Sequence, residues 1–156
     1  MIVQIKEAGI GDIQYAAPLF NAYRVFYKQP ADIEAATNFL YERVSKKEST
    51  IFIAFLNDEA VGFTQLYPIF SSVSLQPALL LNDLFVAENT RQQGVADALL
   101  NKAKEYGSQT GAKWLLLETA FDNYKAQSVY EKNGWLKQAD FFYQFALVVK
   151  LFINTV

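Results

Sequence analysis

Apolar and polar residues alternate over residues 2–7, the period-two pattern of a strand with one covered face, and Gly9 and Gly11 close it. Asp12 then stands as N-cap to a helix with Ile13, Ala16, Ala17, Phe20 and Tyr23 at helical spacing. Pro18 fits that helix only where it is kinked or starts late, and Pro30 ends the segment. A second helix is expected from Asp32 to about Lys46, with Ile33, Ala36, Phe39, Leu40 and Val44 on one face. Strands follow at residues 50–56 and 60–69, joined by a turn at Asn57, Asp58 and Glu59; Pro68 and the serines at 71, 72 and 74 mark a frayed end or an irregular loop. Residues 79–86 are nearly continuously apolar, as in a strand covered on both faces. Residues 94–108 read as a helix stopped by Gly111, 113–119 as a buried strand, 123–132 as a short helix ended by Asn133-Gly134, and 141–151 as a last long strand.

The strand, turn, helix and strand between residues 79 and 119 make a β-α-β unit, which closes right-handed with parallel strands. The hairpin before it and the terminal strands after it make the sheet mixed. A chain of 156 residues with 52% apolar, 15% aromatic and 19% charged residues suits one folded domain, 1–156, with no internal repeat or linker. The net charge of -2 and a pI of about 5.2 leave no basic face for a phosphate backbone, so nucleic acid is not expected as a partner and cationic small molecules are mildly favoured. The chain has neither cysteine nor histidine, which excludes disulfides, thiolate nucleophiles, Ser-His pairs and Cys/His zinc sites; no metal is expected. Proton transfer falls to carboxylate, tyrosine, lysine, the chain terminus or water. The first residues lack a signal-peptide pattern and no apolar run reaches the roughly 18 residues of a membrane span, so a cytoplasmic protein without membrane contact is expected.

Arg91-Gln92-Gln93-Gly94-Val95-Ala96 lies between the apolar strand and the following helix. A strand that feeds a glycine turn and then a helix N-terminus converges backbone NH groups on an anion, typically a pyrophosphate. Gly94 lets the backbone come close and Ala96 keeps the path clear of a bulky side chain. The alternative is an ordinary helix start with a solvated arginine.

Three stretches resemble the GNAT superfamily of acyl-CoA-dependent N-acyltransferases in order and spacing. They are Asn82-Asp83-Leu84-Phe85-Val86 with the turn from Arg91 to Ala96, then Asn123 with Ala126, Tyr130 and Gly134-Trp135, and the tyrosine-rich segment of Tyr23 and Tyr27. Within the superfamily the chain is most similar to the Hpa-type histone and amino-acid acetyltransferases, with spermidine/spermine and thialysine acetyltransferases as near relatives. The resemblance implies an α/β (α+β) GNAT fold with a mixed sheet of about seven strands, about four helices and one β-α-β acyl-CoA-binding core. It also implies acetyl-CoA as co-substrate, its pyrophosphate on the NH groups of Gln93, Gly94, Val95 and Ala96 beside Arg91 and Gln92, and its pantetheine along Leu84, Phe85 and Val86. Asn123 and Ala126 belong to the second cofactor-side stretch, where Asn123 is equally an N-cap. Tyr130 matches the position of a general acid that protonates the leaving CoA sulfur, although it also fits the apolar stripe of its helix.

The general base departs from the family pattern. In the polyamine-acetylating relatives a carboxylate is expected where this chain has Asn82, and an amide does not serve as a base. Asp83 points to the opposite face of a regular strand and substitutes only through a bulge or a water relay; Glu118 is the second candidate. An alkyl amine of pKa about 10.4 lies about 4 kcal/mol from its free base at neutral pH, an α-amino group near 8 only about 1 to 1.5. A weak base therefore favours small primary amines of the amino-acid type over polyamines. Tyr23, Tyr27, Glu34, Tyr67, Asn82 and Asp83 are candidates for the acceptor side, the aromatics fitting a plain core role as well. The expected activity is direct acetyl transfer to a small-molecule amine such as an amino acid or polyamine. A protein or histone amine is the alternative substrate, and a non-catalytic acyl-CoA-binding module the alternative class. The long apolar terminal run is expected to pair with a second subunit in a homodimer.

Overall fold

The computed structural model describes residues 2–147. The alternation expected for residues 50–56 is realised in full: Ile51 and Ile53 are buried on one face of the strand, Phe52, Ala54 and Leu56 on the other. A strand buried on both faces needs a helical layer on each side. Those layers are α1 (Ile13–Phe26) with α2 (Ile33–Ser45) on one face, and α3 (Val95–Gln109) with α4 (Tyr124–Lys132) on the other. Between them lies a sheet ordered β1 (Gln4–Glu7), β2 (Thr50–Leu56), β3 (Glu59–Ser71), β4 (Gln76–Val86) and β5 (Leu115–Leu116). The first three pairings are antiparallel and β4 with β5 is parallel, so the sheet is mixed around a β4-α3-β5 unit.

Local chemistry sets the element ends. Asp32 caps α2 by accepting the Ala35 amide at 3.0 Å. Asp12 turns back instead, accepting Gly9 N at 2.9 Å and Lys6 Nζ at 2.7 Å, and so closes a 3-10 turn at Ile10–Asp12 before α1 begins. This late start leaves Pro18 inside α1, in its second turn. The β2–β3 hairpin turns on two residues, Asn57 and Asp58, both at positive φ (49° and 64°), the geometry that matches strand twist. β3 runs on through Pro68 to Ser71 where a frayed end is expected. Its pairing with β2 ends at Leu66, so the proline sits where one edge has no β2 partner to lose.

The sheet has five strands among the described residues, a correction to the expected seven, while the four helices agree. Of the expected strand 113–119, only Leu115 and Leu116 pair, because β4 veers away after Leu80. Residues 141–147 form no strand and their large apolar side chains are exposed. The rest of that expected strand, residues 148–151, lies outside the described residues. Gly62 on β3 positions α3: a Cβ there would meet Phe85 O at 2.9 Å and Val95 Cγ1 at 3.0 Å, so its absence lets the first turn of α3 lie against the sheet. Val95, Leu99, Leu100 and Ala103 are then fully buried, each leucine worth roughly 1.5–3 kcal/mol of burial.

Candidate active site

One irregularity in β4 creates the site. Gln65 of β3 faces Asp83 and Leu66 faces Leu81, so Asn82 is an extra residue in the ladder. The bulge reverses the alternation. Leu79 and Leu81 belong to the core under α3, and so do Leu84 and Val86, whereas Phe85 belongs to the core under α1 and α2. Asp83 thus turns toward α1 and α2, the face that a regular strand would have denied it, and joins Asn82 there on the wall of one cavity.

Asp83 is 3% exposed. Its carboxylate accepts from Gln65 Nε2 and, at 2.9 Å, from Asn82 Nδ2. Gln65 is itself buried, and Ser49 Oγ donates to its Oε1 at 2.8 Å, which fixes the amide with its NH₂ toward Asp83. Burial pushes the Asp83 carboxyl above the usual carboxylate range; donors from Gln65, Tyr23 and Asn82 offset part of that rise. The result is a carboxylate more basic than one in water, held at the base of a cavity.

That cavity, about 520 Å³, lies between α1, α2 and the bulge, with Phe20, Tyr23, Tyr27, Phe39 and Tyr67 among its walls. A second cleft of about 290 Å³ opens where β4 and the chain after β5 diverge, lined by Leu80, Leu81, Asn82, Glu118, Thr119 and Ala120. Tyr23, Tyr27 and Asn82 line both. Tyr23 makes a long hydrogen bond to the Asn82 carbonyl oxygen, 3.4 Å, and lies against Asp83, whose charge together with burial pushes its phenol well up. Burial and the same carboxylate raise Tyr27, and they lift Tyr67 to about 12. Burial, then Tyr27, raises Tyr130. All four phenols are therefore protonated donors at neutral pH.

Tyr130 reaches this group from α4. The C-terminus of that helix is tied to the start of α3: Asp97 accepts from Asn133 Nδ2 at 2.7 Å and Lys132 Nζ at 3.1 Å, and Lys104 Nζ donates to the Asn133 carbonyl at 2.9 Å. The Tyr130 ring packs near Trp135, centroids 6.4 Å apart. Packing and a functional hydroxyl coexist in this residue.

The turn before α3 has Gln92 at φ 63° and Gly94 at φ 82°. Such left-handed residues beside a helix start aim successive NH groups at one point. Asp32 and Asn123 cap α2 and α4 with side chains, Asn123 Oδ1 accepting Ala126 N at 3.2 Å, but no side chain caps α3. A Cβ on Gly94 would meet nothing within 4 Å, so the space beside this residue is open. Arg91 is exposed, donates from Nε to the Val86 carbonyl at 3.2 Å, and stands 6.0 Å from the Phe26 ring. An uncapped helix start with a clear approach fits a pyrophosphate. Gly94→Val should lower acetyl-CoA affinity at least tenfold in a calorimetric titration, while the positive φ costs about 1–2 kcal/mol of stability; affinity near wild type would contradict the cradle.

Leu84, Phe85 and Val86 are half-buried, their β3 side paired and their other edge without a β5 partner. Glu118 is exposed on the rim of the smaller cleft, and Glu34 is exposed and absent from both cavity walls. Sequence reasoning missed Gln65 and Ser49. A glutamine inside the apolar run of β3 was the available signal for the first; Ser49 has none, since it acquires meaning only through its contact with Gln65.

The features on this framework are a helix start with no side-chain cap, a stretch of strand edge without a β5 partner, and a cavity with a buried carboxylate in its wall. The pattern of the Acetyltransferase (GNAT) family matches residues 16–135, and the chain belongs to that family. It is 48% identical over 139 residues to the uncharacterized N-acetyltransferase YhfO of Bacillus subtilis (strain 168), covering 89% of this chain and 93% of that one. A probable acetyltransferase of Haemophilus influenzae is 38% identical over 125 residues, covering 80% and 84%. A crystal structure of a probable acetyltransferase superposes with a TM-score of 0.87 at 39% identity, covering 94% of this chain and 98% of that one.

Proposed function

We propose that the protein transfers an acetyl group from acetyl-CoA directly to the primary amine of a small molecule, with Asp83 as general base and Tyr130 as general acid. The bulge at Asn82 carries this reading, because it alone brings a carboxylate to the acceptor cavity. Bound acetyl-CoA supplies an activated acyl group on a thiolate leaving group. The NH groups of residues 93–96 would hold its pyrophosphate and the free edge of Leu84, Phe85 and Val86 its pantetheine. Backbone NH groups of that edge would steady charge on the thioester oxygen.

An ammonium entering the larger cavity gives a proton to Asp83, and the neutral nitrogen then forms the new C–N bond as the C–S bond breaks. Tyr130 delivers a proton to the departing sulfur, the second proton that the nitrogen sheds as the amide forms returns the phenolate to a phenol through water, and Asp83 gives its proton to solvent. With no cysteine in the chain, transfer through an acyl-cysteine is impossible, and direct attack with both substrates bound is the preferred route. A mass-spectrometric screen of amines with acetyl-CoA tests this reading. Acetyl-CoA-dependent acetylation of small amines is expected; tight acetyl-CoA binding with no acetylated product across a broad panel would mark a non-catalytic binding module instead.

A further inference from the structure

We infer that the acceptor is a zwitterion, an α-amino acid with an apolar body, and that Arg24 selects it by its carboxylate. This rests on the reading of Asp83 as the base for the amine. Among the described residues, the walls of the acceptor cavity contain two charged side chains, Arg24 and Asp83. One cation and one buried anion, with phenyl and phenol rings between them, complement a molecule that carries one ammonium, one carboxylate and an apolar group. A polyamine offers several ammonium groups, and each beyond the first would find an arginine and aromatic walls in place of a second carboxylate.

Arg24 is placed for this role by α1, one position after Tyr23, which lies against Asp83. Among the described residues its only side-chain hydrogen bond is a long one, Nη1 to the Pro30 carbonyl at 3.5 Å, and none of the ion pairs within 4 Å involves it. Arg43 differs: it is paired with both Glu42 and Glu48. A half-buried guanidinium with most of its five donors uncommitted is suited to a bidentate carboxylate. The cavity, about 520 Å³, falls within the roughly 300–1,000 Å³ of small-molecule sites. The α-amino group adds a second fit, since it needs less help to lose its proton than an alkyl amine.

The experiment compares initial rates of CoA release for apolar L-amino acids, their carboxamides, and spermidine, in the wild type and in Arg24→Ala and Arg24→Lys. The amide keeps the size and lacks the carboxylate, and its amine is the more readily deprotonated, so a preference for the acid is not a matter of basicity. The free acid is expected to exceed its amide at least tenfold in kcat/KM. Arg24→Ala should abolish that preference by raising KM for the acid, with KM for acetyl-CoA held and Arg24→Lys in between. A wild type that favours amide or spermidine over the acid, or an Arg24→Ala variant that keeps the preference, overturns this proposal and leaves amine transfer standing. Acetylation of none of the three classes overturns both.

Discussion

Tyr130→Phe is expected to lower kcat by about a hundredfold, the low end of what a positioned general acid contributes, with little change in KM for acetyl-CoA. The substitution removes only a hydroxyl. The ring keeps its place beside Trp135 and on the core under α3, and the hydroxyl makes no hydrogen bond to another protein group among the described residues, so the variant should fold and melt like the wild type. Burial keeps the phenol protonated well past neutral pH, so a wild-type acid of this kind is available across the working range. With its proton gone, the sulfur must leave as a thiolate or wait for water. Turnover within twofold of wild type would remove Tyr130 from the mechanism. An equal rise in both Michaelis constants would make it a packing residue.

Asp83→Asn should cost as much or more in kcat/KM, about 10²- to 10³-fold, because the amide has no proton-accepting capacity. The pH profile is the sharper readout. A base works deprotonated, so wild-type activity is lost as pH falls through the Asp83 pKa, which burial has moved above the ordinary carboxylate range. The ionisation of the amine itself sets a second and higher limb. Asp83→Asn should keep the higher limb and lose the lower one. Stability has the opposite sign. A carboxyl whose folded pKa lies above its unfolded value makes the folded state the better proton binder, so its contribution to stability falls as pH rises through that same interval. The ionisation that switches activity on therefore weakens the fold, and melting temperatures across the acid range should show this in the wild type and not in Asp83→Asn. A low-pH limb unchanged in the variant would assign the base elsewhere, with Glu118 on the rim of the smaller cleft the next to test.

The proposed donor half of the site is legible in the sequence because its determinants are local. A turn glycine, the small residues after it and an amphipathic helix are short-range signals, and Gly94 sits at the start of α3 as its spacing implies. Most strands and all four helices follow from periodicity for the same reason. The acceptor half depends on register. Two neighbours such as Asn82 and Asp83 point to opposite faces in any regular strand; the sequence identifies the conflict, and only the pairing of Gln65 with Asp83 and Leu66 with Leu81 resolves it. The bulge follows the point, after Leu80, where β4 and β5 part; that parting reduces the expected strand over residues 113–119 to Leu115–Leu116 and opens the smaller cleft. Tyr23 and Tyr27 are consistent with a plain core by spacing, yet they are walls of both cavities, because a helix face does not say whether a neighbour fills the space beside it.

A crystal structure with CoA bound tests most directly whether this geometry is a transfer site. The pyrophosphate is predicted on the NH groups of residues 93–96, the pantetheine along the free edge of Leu84 to Val86, and the thiol within hydrogen-bond reach of Tyr130 Oη, facing Asp83 across Tyr23 and Tyr27. A thiol far from Tyr130, or a pyrophosphate away from Gly94, would contradict the account.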